Sequence, residues 1–209
     1  MNAQGKRSGE TAREYAYRMI REQVISLELK PGEAFNDMEF AAKIGVSRTP
    51  VREAVIQLSE ESRIIEIFPQ RGMRIAPIDV ELVEEARSLR VLLEKQIAGM
   101  CCEMATEEDI KWLQENVGLQ EFYMENSRPE MVMQLDDEMH HKLFMICHRE
   151  LTYGMCQKLA IHYDRIRSLS VNTVKDNTII EDHRKIIQFI AEHKKENAMA
   201  QMEKHLSRW

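Results

Sequence analysis

The sequence predicts a mainly α-helical protein with one small β-hairpin, and three observations carry that prediction. From Asp79 onward, apolar residues recur at three- and four-residue spacing through long windows in which Pro and Gly are nearly absent. Upstream of these windows, two shorter helical patterns meet at Gly45-Val46-Ser47. Behind them, β-branched runs flank a Pro/Gly turn. The fold that follows is an N-terminal helix-turn-helix with a hairpin wing, then a C-terminal all-α antiparallel bundle of about six helices.

The elements follow in chain order. Asn36 and Glu39 have capping-box spacing ahead of Phe40, Ala41 and Ile44, and Gly45, which tolerates a positive φ, ends that short helix. The run GVSRTPVREA, Gly45 to Ala54, opens the next one. There Ser47 can accept a hydrogen bond from a first-turn N–H, and Pro50 removes a donor that would lack a partner anyway. Arg48 and Arg52 lie one turn apart on one face. Their planar forks suit guanine O6/N7 or phosphate oxygens, and the small Thr49 between them lets a duplex approach. Taken alone, the pair is equally well read as a surface helix that carries two arginines. Val51, Ala54, Val55 and Leu58 form the inward stripe. Ile64, Ile65 and Ile67 then lead through Phe68-Pro69-Gln70-Arg71-Gly72 into Met73, Arg74 and Ile75, a hairpin whose tip is bordered by Arg71 and Arg74. Gly72 allows close approach to a groove or backbone.

On these residues, together with Lys30-Pro31-Gly32, positions 10 to 77 resemble the winged helix-turn-helix of GntR-type bacterial transcription regulators. The resemblance implies contacts to double-stranded operator DNA by Arg48 and Arg52 and a wing glycine, Gly72, at the minor groove. The DNA-binding set is therefore Ser47, Arg48, Thr49, Arg52, Arg71 and Gly72. Two positions depart from the family pattern. Met38 stands where relatives often carry an arginine, and Ser62-Arg63 stands where the recognition helix usually ends in glycine.

Charge and length agree with two domains, residues 1–77 and 78–209. The chain carries a formal net charge of −6, but the first 77 residues sum to +1 and the remainder to −7. DNA affinity must come from a focused patch and should be strongly salt-dependent. No segment approaches the roughly 20 apolar residues of a membrane span, and MNAQGKRSGE lacks the apolar stretch of a signal peptide. A cytoplasmic protein is expected. Cys101, Cys102, Cys147 and Cys156 form no CxxC pair and read as reduced thiols in helices.

The helical windows run over residues 82–104, 107–124, 129–147, 153–170, 178–193 and 197–206. The 14 methionines of the chain read mostly as core filler. On the third window, Asp136 and His140, and likewise Asp137 and His141, have ligand-like i,i+4 spacing. At roughly 100° per residue, Asp136 and His140 lie on the margin of the inward stripe of Val132, Leu135, Met139, Leu143 and Ile146. The other pair points outward. His183 sits mid-stripe among isoleucines, and His205 shares a side with Ala198 and Met202. Three histidines and a carboxylate in a helical core form a set suited to a divalent first-row metal. A core histidine bonded to a carbonyl remains the alternative for any one of them.

Residues 80 to 209 resemble the FadR-type C-terminal domain, FCD, that accompanies this winged helix. The resemblance implies a metal held by Asp136, His140, His183 and His205, with Zn, Ni or Mn as the candidates. It also implies an effector carboxylate anchored by Arg90, in the LRVLLE segment, although a salt bridge to Glu94 explains that arginine almost as well. His148-Arg149-Glu150 replaces the usual Ser/Gly-Asn, and Cys147 reads as a small buried residue rather than a ligand. His162, His193 and His148 have no pattern behind them. The expectation is a homodimeric, metal-containing repressor that senses a small organic acid and is not an enzyme. The alternatives are a metal-dependent hydrolase bundle on a DNA-binding domain, and an architectural DNA binder with a purely structural metal.

Overall fold

The computed structural model describes residues 5–173 and 178–207. Its elements run α1 (Ala12–Ile25), β1 (Ala34–Phe35), α2 (Asp37–Ile44), α3 (Arg48–Ser62), β2 (Ile65–Phe68), β3 (Gly72–Ile75), α4 (Val80–Met104), α5 (Glu107–Glu125), α6 (Pro129–Ile146), α7 (Glu150–Thr173), α8 (Thr178–Ala191) and α9 (Lys195–Leu206). The chain forms two compact units. One extends to Val80 and takes in Ile161–Ile166; the other comprises Glu81–Ala160 and the chain from Arg167 onward.

In the first unit, α1 starts at a full capping box, with Thr11 and Glu14 satisfying each other's backbone N–H. The Asn36 side chain accepts from the N–H of Met38 and Glu39, and Gly45 closes α2 at φ 73°. The return half of the expected box is different, because Glu39 accepts from the Asn36 side-chain amide rather than from its backbone. Ser47 departs further from expectation. It occupies the N-cap of α3 in extended geometry, yet its side chain makes no capping hydrogen bond.

Val51, Ala54, Val55 and Leu58 are fully buried and pack with α1, with Phe40 and Ala41 of α2, and with Ile64, Ile65 and Ile75. The wing is a three-stranded antiparallel sheet, β1-β3-β2, rather than a bare hairpin. Glu66 faces Arg74 and Phe68 faces Gly72 across β2 and β3, while Ala34 and Phe35 of β1 pair with Arg74 and Met73. A two-residue strand has no periodicity to betray it, so only its tertiary pairing defines it. Ile161 completes this core, and His162 Nε2 lies 2.6 Å from the Ser62 carbonyl oxygen.

Arg63 solves the helix end that lacks glycine by adopting φ 55° itself. That left-handed geometry costs an L-residue roughly 1 to 2 kcal/mol, of which glycine returns part as unfolded-state entropy. Arg63→Gly is therefore expected to stabilise the first unit by about 0.5 kcal/mol. Denaturant unfolding of the full chain checks this, and a destabilised variant would contradict it.

The second unit buries the apolar stripes of its helices in one core that includes Leu113, Met139, Leu143, Phe144, Ile186, Ile190 and Met202. The helices begin and end within a few residues of the expected bounds. Thr106 and Asp109 cap α5 reciprocally, and Pro129 opens α6 at its first turn. Gly99 lets α9 approach α4 closely, since a Cβ there would stand 2.9 Å from the Met199 side chain, which would have to shift. Helices α4 and α6 run in the same direction with matched seven-residue spacing. Glu94 meets His140 at one level, and Cys101 Sγ lies 3.5 Å from Cys147 Sγ at the next. All four cysteines are buried free thiols.

Candidate metal centre and nucleic-acid interface

In the second unit, α6 supplies Asp136 and His140, α8 supplies His183 and α9 supplies His205. One ligand atom from each lies within 4.8 Å of all the others, and all four residues are buried. His183 Nε2 is 3.2 Å from His205 Nε2, which is 3.4 Å from His140 Nε2. Asp136 Oδ1 stands 3.3 Å from His183 Nε2.

The outer nitrogens decide the tautomer of two of the three rings. Gln120 donates its amide to Asn116 Oδ1 at 2.8 Å, which turns its oxygen toward His183 Nδ1, also at 2.8 Å. His183 therefore carries its proton on Nδ1 and presents a lone pair at Nε2. His140 Nδ1 lies against Glu94 Oε2, with the same consequence. His205 Nδ1 faces Asp182 Oδ2 at 4.0 Å, and the other oxygen of that carboxylate accepts from Gln201 at 2.7 Å. Two imidazole lone pairs, the Nε2 of His205 and a carboxylate oxygen thus meet in a buried space, an arrangement that a cation between them would stabilise. The separations suit one. Ligands about 2.1 Å from a common ion stand ~3.0 Å apart at right angles and ~3.4 Å apart in a tetrahedron.

Electrostatics keeps the set in ligating form. Burial pushes the Asp136 acid up, but the Arg167 guanidinium and the neighbouring imidazoles outweigh it and hold the carboxyl well below its ordinary value. Arg167 contacts Asp136 Oδ2 and donates to Asp137 Oδ1 at 2.8 Å, leaving Oδ1 of Asp136 turned to the imidazoles. Burial lowers the pKa of His183, and burial with the adjacent imidazoles lowers that of His205 well below its usual value.

Both histidines thus bind protons more weakly when folded than when unfolded, where their pKa is about 6.5. The unfolded state gains protons first as pH falls, so their contribution is fully present above about pH 6.5 and is lost below it. Chelator-treated protein is expected to melt at progressively lower temperature as pH is taken from 8 to 5. A melting temperature flat across that range would refute the burial argument.

Around this cluster the other expected residues separate. Asp137 and His141 do not simply face solvent: Asp137 pairs with Arg167, and His141 stacks on Tyr153 with ring centroids 4.3 Å apart. Arg90 is buried and its Nε donates to Glu94 Oε1 at 2.6 Å, so it reaches the cluster through the carboxylate that supports His140. Arg90 and His140 together outweigh the burial that pushes the Glu94 acid up, and they hold it well below its ordinary value. Cys147 turns to Cys101 rather than to the cluster, and His193 Nδ1 lies 2.6 Å from the Cys102 carbonyl oxygen. Sequence reasoning missed Gln120 and Arg167. No periodic signal marks either, because each acts from a helix other than that of the residue it supports.

In the first unit, α3 presents Arg48 and Arg52 with more than half of each side chain exposed. With Thr49, Glu53 and Ile56 they line a shallow concavity. Both arginines share one carboxylate: Arg48 Nε donates to Asp37 Oδ1 at 2.9 Å and Arg52 Nη1 to Oδ2 at 3.3 Å. Asp37, the first residue of α2, is buried. On the wing, Arg71 and Gly72 are exposed at the tip, and Gly72 takes φ 100°, a conformation that excludes a side chain. Arg74 is engaged by Glu66 and lies over the Phe68 ring.

Comparison with known proteins bears on both units. Residues 12–75 match the family described as bacterial regulatory proteins, gntR family, and residues 85–208 match the FCD domain. The HTH-type transcriptional repressor RspR of Escherichia coli (strain K12) is 30% identical over 158 residues, 76% of this chain and 69% of that protein. An uncharacterized HTH-type transcriptional regulator in an unstable DNA locus of Streptomyces ambofaciens is 29% identical over 204 residues, 95% and 84% of the two chains. Among solved structures, E. coli McbR/YncC superposes with a TM-score of 0.78 at 18% identity, covering 95% of this chain and 94% of its own. That likeness is one of fold.

Proposed function

Because the chain belongs to the gntR family of bacterial regulatory proteins and carries an FCD domain, we propose that this transcription regulator is a cytoplasmic repressor whose operator affinity answers to a small carboxylate bound at a metal centre. It is a regulator and not an enzyme, as its family and relatives are. The observation that carries the metal reading is the meeting of three imidazole Nε2 atoms beside Asp136 Oδ1. A Zn, Ni or Mn ion there would supply a Lewis-acidic centre with open positions for an organic acid.

The chain's own residues do the rest. Glu94 and Gln120 orient two imidazoles, Arg167 holds the outer oxygen of Asp136, and Arg90, next to Glu94, is the candidate anchor for the acid's far carboxylate. In the first unit, Ser47, Arg48, Thr49 and Arg52 would enter the major groove, with Arg71 and Gly72 at the adjacent minor groove. A homodimer would set the spacing of paired half-sites. Leu119 and Phe122 of α5, one turn apart and both about half exposed, are consistent with such a contact.

One observation favours a second reading, a purely structural metal: His183 is 0% and Asp136 only 6% exposed, so a ligand would have to enter a closed core. One experiment separates the two. Elemental analysis and native mass spectrometry of untagged protein should find about one metal per chain, and operator affinity should change with one member of a carboxylate panel. Metal without any such response would leave the structural reading. Absence of metal after incubation with Zn, Ni or Mn would end both.

A further inference from the structure

The recognition face carries a charge pattern that DNA attraction alone does not explain. Its two arginines are half neutralised by Asp37, and Glu53 lines the same concavity, so four charges on this face cancel. Met38, next in sequence to Asp37, is 62% exposed and brings no cation. A face selected only for phosphate affinity would not bury a carboxylate behind its cations.

Asp37 is placed for a different task. Each of its oxygens takes a separate arginine, which fixes two long side chains that are otherwise more than half exposed and rotamer-rich. The carboxylate itself is held by α2: it stands at the first helical residue, where the helix dipole favours an anion, and Asn36 caps the same turn. Each bond occupies only one N–H of its guanidinium, Nε of Arg48 and Nη1 of Arg52. The other N–H groups belong to side chains that are more than half exposed and anchored at one point.

We infer that Asp37 is a specificity-determining residue: it aims Arg48 and Arg52 at base edges and, by its charge, weakens their attraction to phosphates of unrelated sequence. The inference rests on the reading of α3 as the base-reading helix. Two physical effects point the same way. Preorganised guanidinium forks favour the paired O6/N7 acceptors of guanine over scattered phosphate oxygens. The buried negative charge lowers the counterion-release contribution available at any sequence. A carboxylate that only stabilised the start of α2 would not aim the two forks.

The test begins with a duplex selected from a randomised library by the wild-type full-length chain, compared with a fixed duplex of unrelated sequence. Asp37→Asn keeps the shape and removes the charge. For that variant the ratio of selected to unrelated affinity should fall by about tenfold or more. Unrelated-duplex binding should tighten, with a log–log salt slope steeper by up to about 1. Asp37→Glu, which retains a carboxylate, should keep the wild-type salt slope, and thermal melts report whether each variant folds. Equal loss on both duplexes with a lowered melting temperature would overturn the inference in favour of a structural role, and so would an unchanged ratio. If wild-type protein selects no sequence at all, the base-reading assignment of α3 falls, and the inference falls with it.

Discussion

Replacing His183 with alanine is expected to strip the helical unit of its metal and to lower its stability by about 3 kcal/mol when free metal stands ~100-fold above the dissociation constant. Its Nε2 lies within 3.3 Å of both His205 Nε2 and Asp136 Oδ1, so its loss removes the atom that joins these two donors. The substitution also empties a fully buried site, and a cavity alone would lower stability. The decisive quantity is therefore a difference. Wild-type protein should melt lower after chelation, whereas His183→Ala should melt at the same temperature with and without a chelator. Full metal retention in the variant would show that the donors had been misassigned.

Arg48→Ala and Arg52→Ala should each weaken binding to a selected operator duplex by about 1 to 3 kcal/mol, or ~5- to 150-fold. The fold should survive, because both side chains are more than half exposed and the core of α3 is made by Val51, Ala54, Val55 and Leu58. The two losses should not add. Either truncation leaves Asp37 with one arginine, and residues that share a partner are coupled. Titration of the two single variants and the double variant measures that coupling. Normal affinity in both single variants would remove α3 from the groove.

Much of this molecule was legible in its sequence because its signals are local. A helix writes its buried face into a 3.6-residue period, so the stripe of α6 separated Asp136 and His140 from Asp137 and His141, and the structure buries the first pair. Gly45 and the Asn36 cap bounded α2 for the same reason, since a cap acts over three or four residues. The convergence of His183 and His205 on α6 was anticipated through family resemblance. Spacing alone cannot show that residues 43 or 65 positions from α6's His140 meet in space.

What only the tertiary structure decided are pairings between elements. The tautomers of two imidazoles follow from Gln120 on α5 and Glu94 on α4, the ionisation of Asp136 from Arg167 on α7, and the orientation of two arginines from Asp37 on the preceding helix. Ser47, by contrast, holds the N-cap position its sequence predicted but not the hydrogen bond, because a residue type permits a contact and geometry makes it. By itself the sequence determined which residues form helices, which faces they bury and which side chains could ligate or read DNA, since propensity, capping and periodicity act within a few turns. The structure decided how those side chains are protonated, aimed and neutralised, because charge and hydrogen bonding act between atoms a few ångströms apart whatever their separation along the chain.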